Sequence, residues 1–299
     1  MAKRASANNF LKLVNGITNI LAEENGQIGN MQITGRLVSI QPTGDAIIVG
    51  DVHGDMMSLK TILENSKFME KASKNEEITM IFLGDYGDRG LHSPEVYYII
   101  LKLKEVFPKR IILMKGNHEG PNDLLAHPHD LLDHLQRKFG DASSHTYSAL
   151  RKLFDYLYNA VLIDKRYVLL HGGVPSQAST TEDLAFAHEK HPHETHLEEI
   201  LWSDPREGIR GTRPSPRGAG RLFGEDITER LLRVSKTKVL IRGHEPSKGG
   251  FSTNHSEKIL TLFSRKGPPY HNKSGAYLHL DLSEEAENAL QLIHHIHKF

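Results

Sequence analysis

Met80-Ile81-Phe82-Leu83-Gly84-Asp85-Tyr86-Gly87-Asp88-Arg89-Gly90 decides the fold of this chain. An apolar run stops at a glycine, and a glycine-rich turn carrying two aspartates follows. A short apolar run bounded in this way reads as a buried strand. The same pattern recurs on both sides. Ala46-Ile47-Ile48-Val49-Gly50 leads into Asp51-Val52-His53-Gly54-Asp55, and Ile111-Ile112-Leu113-Met114 leads to Gly116-Asn117-His118-Glu119. Farther on, Tyr167-Val168-Leu169-Leu170 ends at His171-Gly172-Gly173, and Val239-Leu240-Ile241 ends at Arg242-Gly243-His244-Glu245. Side chains at the carboxyl ends of buried strands converge in one crevice of an α/β sheet. Residues distant in sequence are therefore expected to surround one site.

Helical patterns fill the spaces between these runs. Phe10, Leu11, Val14, Ile17, Ile20 and Leu21 recur at helical spacing and predict an amphipathic first helix. Residues 26–43 read as a connector with a short strand near Arg36–Ile40. Met56, Leu59, Ile62 and Leu63 predict a helix after the first cluster. Ser93-Pro94 reads as an N-cap followed by a proline in the first turn, with the helix running to about Val106. Two more helices are expected near Asp123–Arg137 and Thr146–Asn159. The alternation favours an α/β layered fold. Strands near Ile259–Ser264, Ala276–Asp281 and Leu290–Ile296 lack intervening helices and are expected to pair as an antiparallel layer. The fold class is thus α/β, a sandwich of two mixed sheets flanked by helices. No repeat or low-complexity linker divides the chain. One domain is expected, with residues 1–44 as an N-terminal helix and connector packed on a core of residues 45–299.

The chain has 299 residues, enough for an ample core, and a formal net charge of zero. That balance gives no support for a nucleic-acid or membrane partner. There are no cysteines, which removes disulfides, thiolate nucleophiles and zinc–thiolate sites together. No run approaches the roughly 20 apolar residues of a membrane span. Lys12 and Asn15 break the apolar stretch a signal peptide would need. A cytoplasmic protein is the expectation.

The chemistry follows from the ligand types. Asp51, His53, Asp85, Asn117, His171 and His244 offer three imidazoles, two carboxylates and one amide. That set is too large for one tetrahedral zinc and too rich in nitrogen for calcium. It suits two divalent transition-metal ions sharing a carboxylate, with manganese, iron or zinc as candidates. Two such ions, roughly 3.5–4 Å apart, are the usual device for hydrolysing phosphate esters.

Gly50-Asp51-Val52-His53-Gly54, Gly84-Asp85-Tyr86-Gly87-Asp88-Arg89-Gly90 and Gly116-Asn117-His118-Glu119 resemble the three signature motifs of the phosphoprotein phosphatase family, within the calcineurin-like metallophosphoesterases. His171-Gly172-Gly173, Leu201-Trp202-Ser203-Asp204-Pro205, Arg242-Gly243-His244 and Leu262-Phe263-Ser264 continue the match in the family's order, over roughly residues 45–281. The tryptophan-containing run narrows the resemblance to the serine/threonine phosphatase branch. The resemblance implies a metallophosphoesterase sandwich and hydrolysis of phosphoserine and phosphothreonine by direct attack of dimetal-bound hydroxide. It implies Asp51 and His53 on the first metal, Asp85 bridging, and Asn117, His171 and His244 on the second. It makes His118 the general acid, Asp88 its orienting carboxylate, and Arg89, Arg217 and Asn117 the phosphate-binding groups. A serine alkoxide leaves poorly, so the chemistry asks for such an acid. Phosphoproteins or phosphopeptides are the implied substrates. A dinucleoside polyphosphate such as diadenosine tetraphosphate, or another small phosphoester, is the alternative.

The chain departs from familiar eukaryotic members and reads more like a prokaryotic or archaeal type. Gly120 stands where a cysteine is common, and Arg265-Lys266-Gly267-Pro268-Pro269-Tyr270 replaces the usual run after Leu262-Phe263-Ser264. Tyr270 is the candidate for the family's active-site tyrosine, in a shifted register. Inhibitor sensitivity and regulatory subunits do not carry over through that loop. Thr212–Gly220 and Arg265–Ser274, rich in basic residues, Gly and Pro, are expected to form a basic rim that favours acidic phosphopeptides. The stretch His188–His196 is rich in ligand types, but Pro192 interrupts it and a solvated loop is expected. His294-His295-Ile296-His297 reads as a strand with alternating faces. Asp204 is a candidate loop anchor.

Overall fold

The computed structural model describes residues 2–299. Helix α1 (Ala7–Glu23) opens on the Ser6 cap and buries Phe10, Leu13, Val14, Ile17 and Leu21 along one face. The segment expected to be a connector with one short strand holds two strands more, β1 (Gly26–Ile28) and β2 (Met31–Thr34), before the expected one, β3 (Leu37–Ile40), at one edge of a sheet. Met31 and Ile33 are buried between exposed neighbours, the period-two signature of a half-buried strand. Glu24 fastens this region to the rest of the fold. It accepts from the buried Lys104 at 2.6 Å and from Tyr158 Oη at 2.5 Å.

The next elements are β4 (Asp45–Val49), α2 (Met56–Asn65), α3 (Phe68–Ser73), β5 (Ile78–Phe82), α4 (Ser93–Val106) and β6 (Ile111–Leu113). Then come α5 (Leu131–Phe139), α6 (Ser143–Phe154), β7 (Ala160–Ile163) and β8 (Tyr167–Leu169). Three short helices follow, α7 (Thr181–Ala185), α8 (Ala187–Lys190) and α9 (His196–Trp202). The chain continues through β9 (Asp204–Pro205), β10 (Thr212–Pro214), β11 (Arg221–Phe223), α10 (Glu225–Ser235) and β12 (Val239–Arg242). It ends with β13 (Phe251–Asn254), β14 (Ile259–Leu262), β15 (Ala276–Asp281), α11 (Ala289–Leu292) and β16 (Ile296–Lys298).

Two mixed sheets form the sandwich. The five-stranded sheet runs β16-β15-β4-β5-β6, and the eight-stranded sheet runs β1-β2-β3-β7-β8-β12-β14-β13. Alternate residues of the larger sheet face opposite ways. Val161, Leu169, Ile241 and Leu260 join the core shared with the smaller sheet. Their neighbours Ala160, Val168, Leu240 and Ile259 pack outward on Leu184, Leu197, Ile200 and Leu231 of the covering helices. β4, β5 and β6 are mutually parallel, as are β8, β12 and β14. The two parallel sets meet at their carboxyl ends, where Gly50 N donates to Ser264 Oγ at 2.8 Å and Ser264 N donates to Asp51 O at 3.1 Å. Among the described residues no helix is long and apolar enough to cross a membrane.

Several expectations are corrected. β14 and β15 do not share an antiparallel layer; β14 runs parallel to β12 in the large sheet, and β15 pairs antiparallel with β4 in the small one. Leu290–Ile296 is not a strand. Asn288 Oδ1 accepts from Gln291 N at 3.2 Å and caps a helical turn there. Only Ile296–Lys298 pairs with β15, so the histidine-rich tail is a strand in its last part alone. The helix expected over Asp123–Arg137 starts at Leu131, because Pro128 disfavours helical backbone just before it. The helix expected over Thr146–Asn159 lies at Ser143–Phe154. Ser93 is the first residue of α4 and not its cap; its hydroxyl instead accepts from Asp88 N at 3.0 Å. Thr212–Gly220 is mostly a hairpin arm and its tip, since β10 pairs antiparallel with β11.

Candidate dimetal active site

Five of the strands that end at the sheet junction bring ligand-type side chains together beneath a cleft of about 740 Å³, whose lining includes His53, Asp85, Asn117, His118 and His244. β4 delivers Asp51 and His53, β5 delivers Asp85, β6 delivers Asn117 and His118, β8 delivers His171, and β12 delivers His244. The turns that do this are tight. His53, Asp85, Asp88, Arg89 and His244 adopt left-handed backbone with φ of 44°, 53°, 62°, 65° and 71°. Non-glycine residues pay conformational strain there, and such strain gathers at functional sites. The glycines leave room for the carboxylates. A Cβ on Gly116 would stand 2.2 Å from Asp85 Oδ1, and one on Gly243 would stand 2.4 Å from Asp51 Oδ1. In the space so left, His118 N donates to Asp85 Oδ1 at 3.1 Å and His244 N to Asp51 Oδ1 at 2.9 Å.

The imidazoles around Asp85 turn lone pairs toward it. His53 Nδ1 donates to Gly87 O at 3.0 Å and His171 Nδ1 donates to Leu83 O at 3.0 Å, so each Nε2 is an acceptor. His53 Nε2 stands 3.4 Å from Asp85 Oδ2 and 3.8 Å from Asp51 Oδ2, and His171 Nε2 stands 3.4 Å from Asp85 Oδ1. The Asn117 amide head lies 3.1–3.2 Å from His171 Nε2, His244 Nδ1 and both oxygens of Asp85. Asp51 Oδ2 and His244 Nε2 are buried with no hydrogen-bond partner. Ligands about 2.1 Å from a shared ion stand roughly 3.3 Å apart. Acceptors at that spacing, facing each other with orphaned atoms, fit divalent cations and fit little else. The electrostatics agree. Burial pushes the Asp51 carboxyl up to about 7. Burial, then the charges of Asp51 and Glu119, raise Asp85 well above the usual carboxylate range. Burial likewise holds His53, His171 and His244 well below the ordinary imidazole range.

Asp88 is built differently. Its Oδ2 lies 2.5 Å from His118 Nδ1 and 2.8 Å from His129 Nδ1. Burial works to raise this carboxyl, but the two imidazole hydrogen bonds override it and the net shift is downward. Arg89 and Arg217 both line the cleft. Arg89 N donates to Asp130 Oδ1 at 3.1 Å and its Nη2 to His127 O at 3.0 Å. Arg217 Nε donates to Asp204 Oδ2 at 2.6 Å, and Asp204 Oδ1 accepts from the buried Arg242 Nη2 at 3.0 Å. Asp204 is thus an anchor for two arginines. Burial works against the Arg217 charge, but Asp204 prevails and raises its pKa.

Some side chains differ from expectation. Tyr270 reaches the cleft in spite of the shifted register, stacked 5.5 Å from His53 and edge-on to Phe263 at 5.0 Å. Trp202 and Phe263 also line the cleft. Arg265 is no rim charge: it is 5% exposed, with Nη1 donating to His53 O at 2.6 Å and its guanidinium over the Tyr270 ring. The stretch His188–His196 is only partly solvated. Ala187–Lys190 is helical, and His196 is buried beside Asp183 and Glu194. Lys190 Nζ, 2.9 Å from Asp183 Oδ1 and 3.4 Å from Glu194 Oε2, already supplies the cation there. Sequence reasoning missed Glu119, whose carboxylate accepts from Asp85 N, Tyr86 N, Gly116 N and Tyr97 Oη and so ties the β5 turn to the β6 turn. Its position at the end of Gly-Asn-His-Glu was the available signal. His129 was also missed, and nothing near it in sequence marks it.

Comparison with known proteins sharpens the class. Residues 46–248 match the calcineurin-like phosphoesterase family, and the chain belongs to that class. A protein phosphatase 2A catalytic subunit of Dictyostelium discoideum is 34% identical over 230 residues, covering 76% of this chain and 70% of that one. Within the class, the chain belongs to the phosphoprotein phosphatase family. The Probable serine/threonine-protein phosphatase of Encephalitozoon cuniculi is 32% identical over 261 residues. That match covers 86% of this chain, which spans 54% of the relative's length. A protein serine/threonine phosphatase of Saccharomyces cerevisiae shares the fold, with a TM-score of 0.77, 24% identity, and coverage of 99% of this chain and 90% of that one.

Proposed function

We propose that this chain is a metal-dependent protein serine/threonine phosphatase that hydrolyses phosphoserine and phosphothreonine directly, with no phosphoenzyme. The observation that carries the reading is one cleft floor that joins an acceptor-lined cage, an imidazole–carboxylate pair and two arginines. Asp51, His53, Asp85, Asn117, His171 and His244 would hold two divalent ions, manganese first, with Asp85 between them. When bound, such ions supply Lewis acidity to a phosphoryl oxygen and make water nucleophilic at neutral pH.

The protein's own groups do the rest. Arg89 and Arg217 orient the phosphoryl group through charge-assisted hydrogen bonds. Arg217 Nε is taken up by Asp204, which aims the guanidinium from a fixed base. Asp88 is ionised, so it accepts, and His118 Nδ1 must carry the proton between them. The transferable proton is then on His118 Nε2, and it goes to the departing serine or threonine oxygen. No serine or threonine lines the cleft among the described residues, and the chain has no cysteine, which supports water over a hydroxyl or thiolate side chain as the nucleophile. A cysteine-free, charge-balanced chain fits a cytoplasmic enzyme acting on phosphoproteins. The test is turnover with manganese. Phosphoserine and phosphothreonine peptides should have higher specificity constants than diadenosine tetraphosphate; the reverse order contradicts the assignment.

A further inference from the structure

The loop of residues 127–130 clasps the Asp88-Arg89 turn from outside. His127 O and Asp130 Oδ1 accept from Arg89, and His129 Nδ1 reaches Asp88 Oδ2 at 2.8 Å. On its far side His129 Nε2 lies 2.9 Å from Tyr147 Oη of α6. His118, Asp88, His129 and Tyr147 therefore form one hydrogen-bonded row. Its outer half lies outside the motif residues, and its links span 41 and 18 positions of sequence.

Asp88, His118 and His129 also have the composition of a metal site. The distances decide against it. Ligands of one ion stand roughly 3.3 Å apart, whereas Asp88 Oδ2 is 2.5 and 2.8 Å from the two nitrogens. Those are distances with a proton between the atoms. Both imidazoles donate to one carboxylate oxygen. A second donor shares the electron density of that oxygen and fixes the carboxylate plane, so it governs how firmly Asp88 holds His118.

We propose that His129 is a positioning residue, which holds Asp88 in the orientation and hydrogen-bonding state that let His118 deliver its proton to the leaving oxygen. This rests on the reading of His118 as proton donor. His129 is neither a cleft-lining residue nor part of the cage, and its side chain is 10% exposed. Its effect is therefore on proton delivery and not on metal binding.

The test compares His129→Phe, His129→Gln and His129→Asn, with His118→Asn alongside, on a phosphoserine peptide and on p-nitrophenyl phosphate with manganese. The asparagine amide nitrogen stands in for imidazole Nδ1, while glutamine places its amide where Nε2 was. Loss of one charge-assisted hydrogen bond is worth about tenfold. His129→Phe and His129→Gln should lose about that much kcat on the phosphoserine peptide, and clearly less on p-nitrophenyl phosphate, whose leaving group hardly needs a proton. His129→Asn should recover most of the loss, and all three should retain the native metal content. Should His129→Phe not fold, His129→Gln against His129→Asn decides the matter. Equal losses on both substrates, or no difference between the Asn and Gln variants, would overturn the proposal. If His118→Asn discriminates between the substrates and the His129 variants do not, only this proposal falls. If His118→Asn itself does not discriminate, the proton-donor reading falls and takes this proposal with it.

Discussion

Asp85 and Asp88 are three residues apart on one turn, equally buried, and each has two imidazoles as near neighbours. Around Asp85 the nearest imidazole nitrogens stand at 3.4 Å, and around Asp88 at 2.5 and 2.8 Å. The difference lies in what the rings do with their other nitrogen. His53 and His171 give their Nδ1 protons to Gly87 O and Leu83 O and turn lone pairs on Asp85. His118 and His129 turn their protons on Asp88. Burial and the charges of Asp51 and Glu119 push the Asp85 carboxyl up, while the hydrogen bonds from His118 and His129 pull Asp88 down. Under the proposed function, identical side chains would serve as a metal bridge and as the anchor of a proton donor, and the backbone carbonyls that take the Nδ1 protons of His53 and His171 set the two apart.

The strongest way to break this comparison is to remove the cations. Chelation should abolish turnover, since the cage around Asp85 is then left as facing acceptors, and manganese should restore it. Activity that survives exhaustive chelation would contradict the assignment of Asp85. The next effect belongs to the other side of the turn. His118→Asn should lower kcat on phosphoserine peptides by about 10²–10⁴ with metal retained. The loss on p-nitrophenyl phosphate should be smaller, because its leaving group needs little protonation.

Arg217→Ala should cost about 10–100-fold in kcat/KM, the worth of one charge-assisted contact. It should leave both carboxylate environments and the metal content unchanged, which steady-state kinetics with elemental analysis can check. The smallest effect is on stability. Asp51 is raised to about 7 in the fold, against about 3.9 in an unfolded chain. The folded, metal-free protein therefore holds this proton more tightly, and the contribution is lost as pH rises through 7. Asp85 is shifted in the same direction. The buried imidazoles are shifted down, so their stability contribution grows as pH rises through about 6.5 and is mostly complete above about pH 7. Between about pH 7 and 8 the melting temperature of the chelated protein should fall, while that of the manganese-loaded protein stays level.

Much of this site was legible because each ligand sits in a contiguous strand-then-glycine segment. Apolar runs such as Ile78–Phe82 and Val239–Arg242 announce themselves, and parallel pairing sends their carboxyl ends one way. What could not be read depends on contacts across the fold. His129 meets Asp88 over 41 positions and has no local pattern around it. Arg265 reads as a surface charge until His53 O and the Tyr270 ring are seen to enclose it. The strands within residues 26–34 are short and mixed in polarity, and form only by pairing, β1 with β2 and β2 with β3, at the sheet edge. At Leu290–Ile296 the apolar spacing suits strand and helix alike, and the Asn288 cap tips the balance.

The most direct test of the division between the two aspartates is the metal content of Asp85→Asn and Asp88→Asn, measured by elemental analysis after identical manganese loading. The account predicts well under two ions per chain for Asp85→Asn and two for Asp88→Asn, with both variants slow on phosphoserine. Equal metal content in the two variants, whether full or depleted, would contradict it.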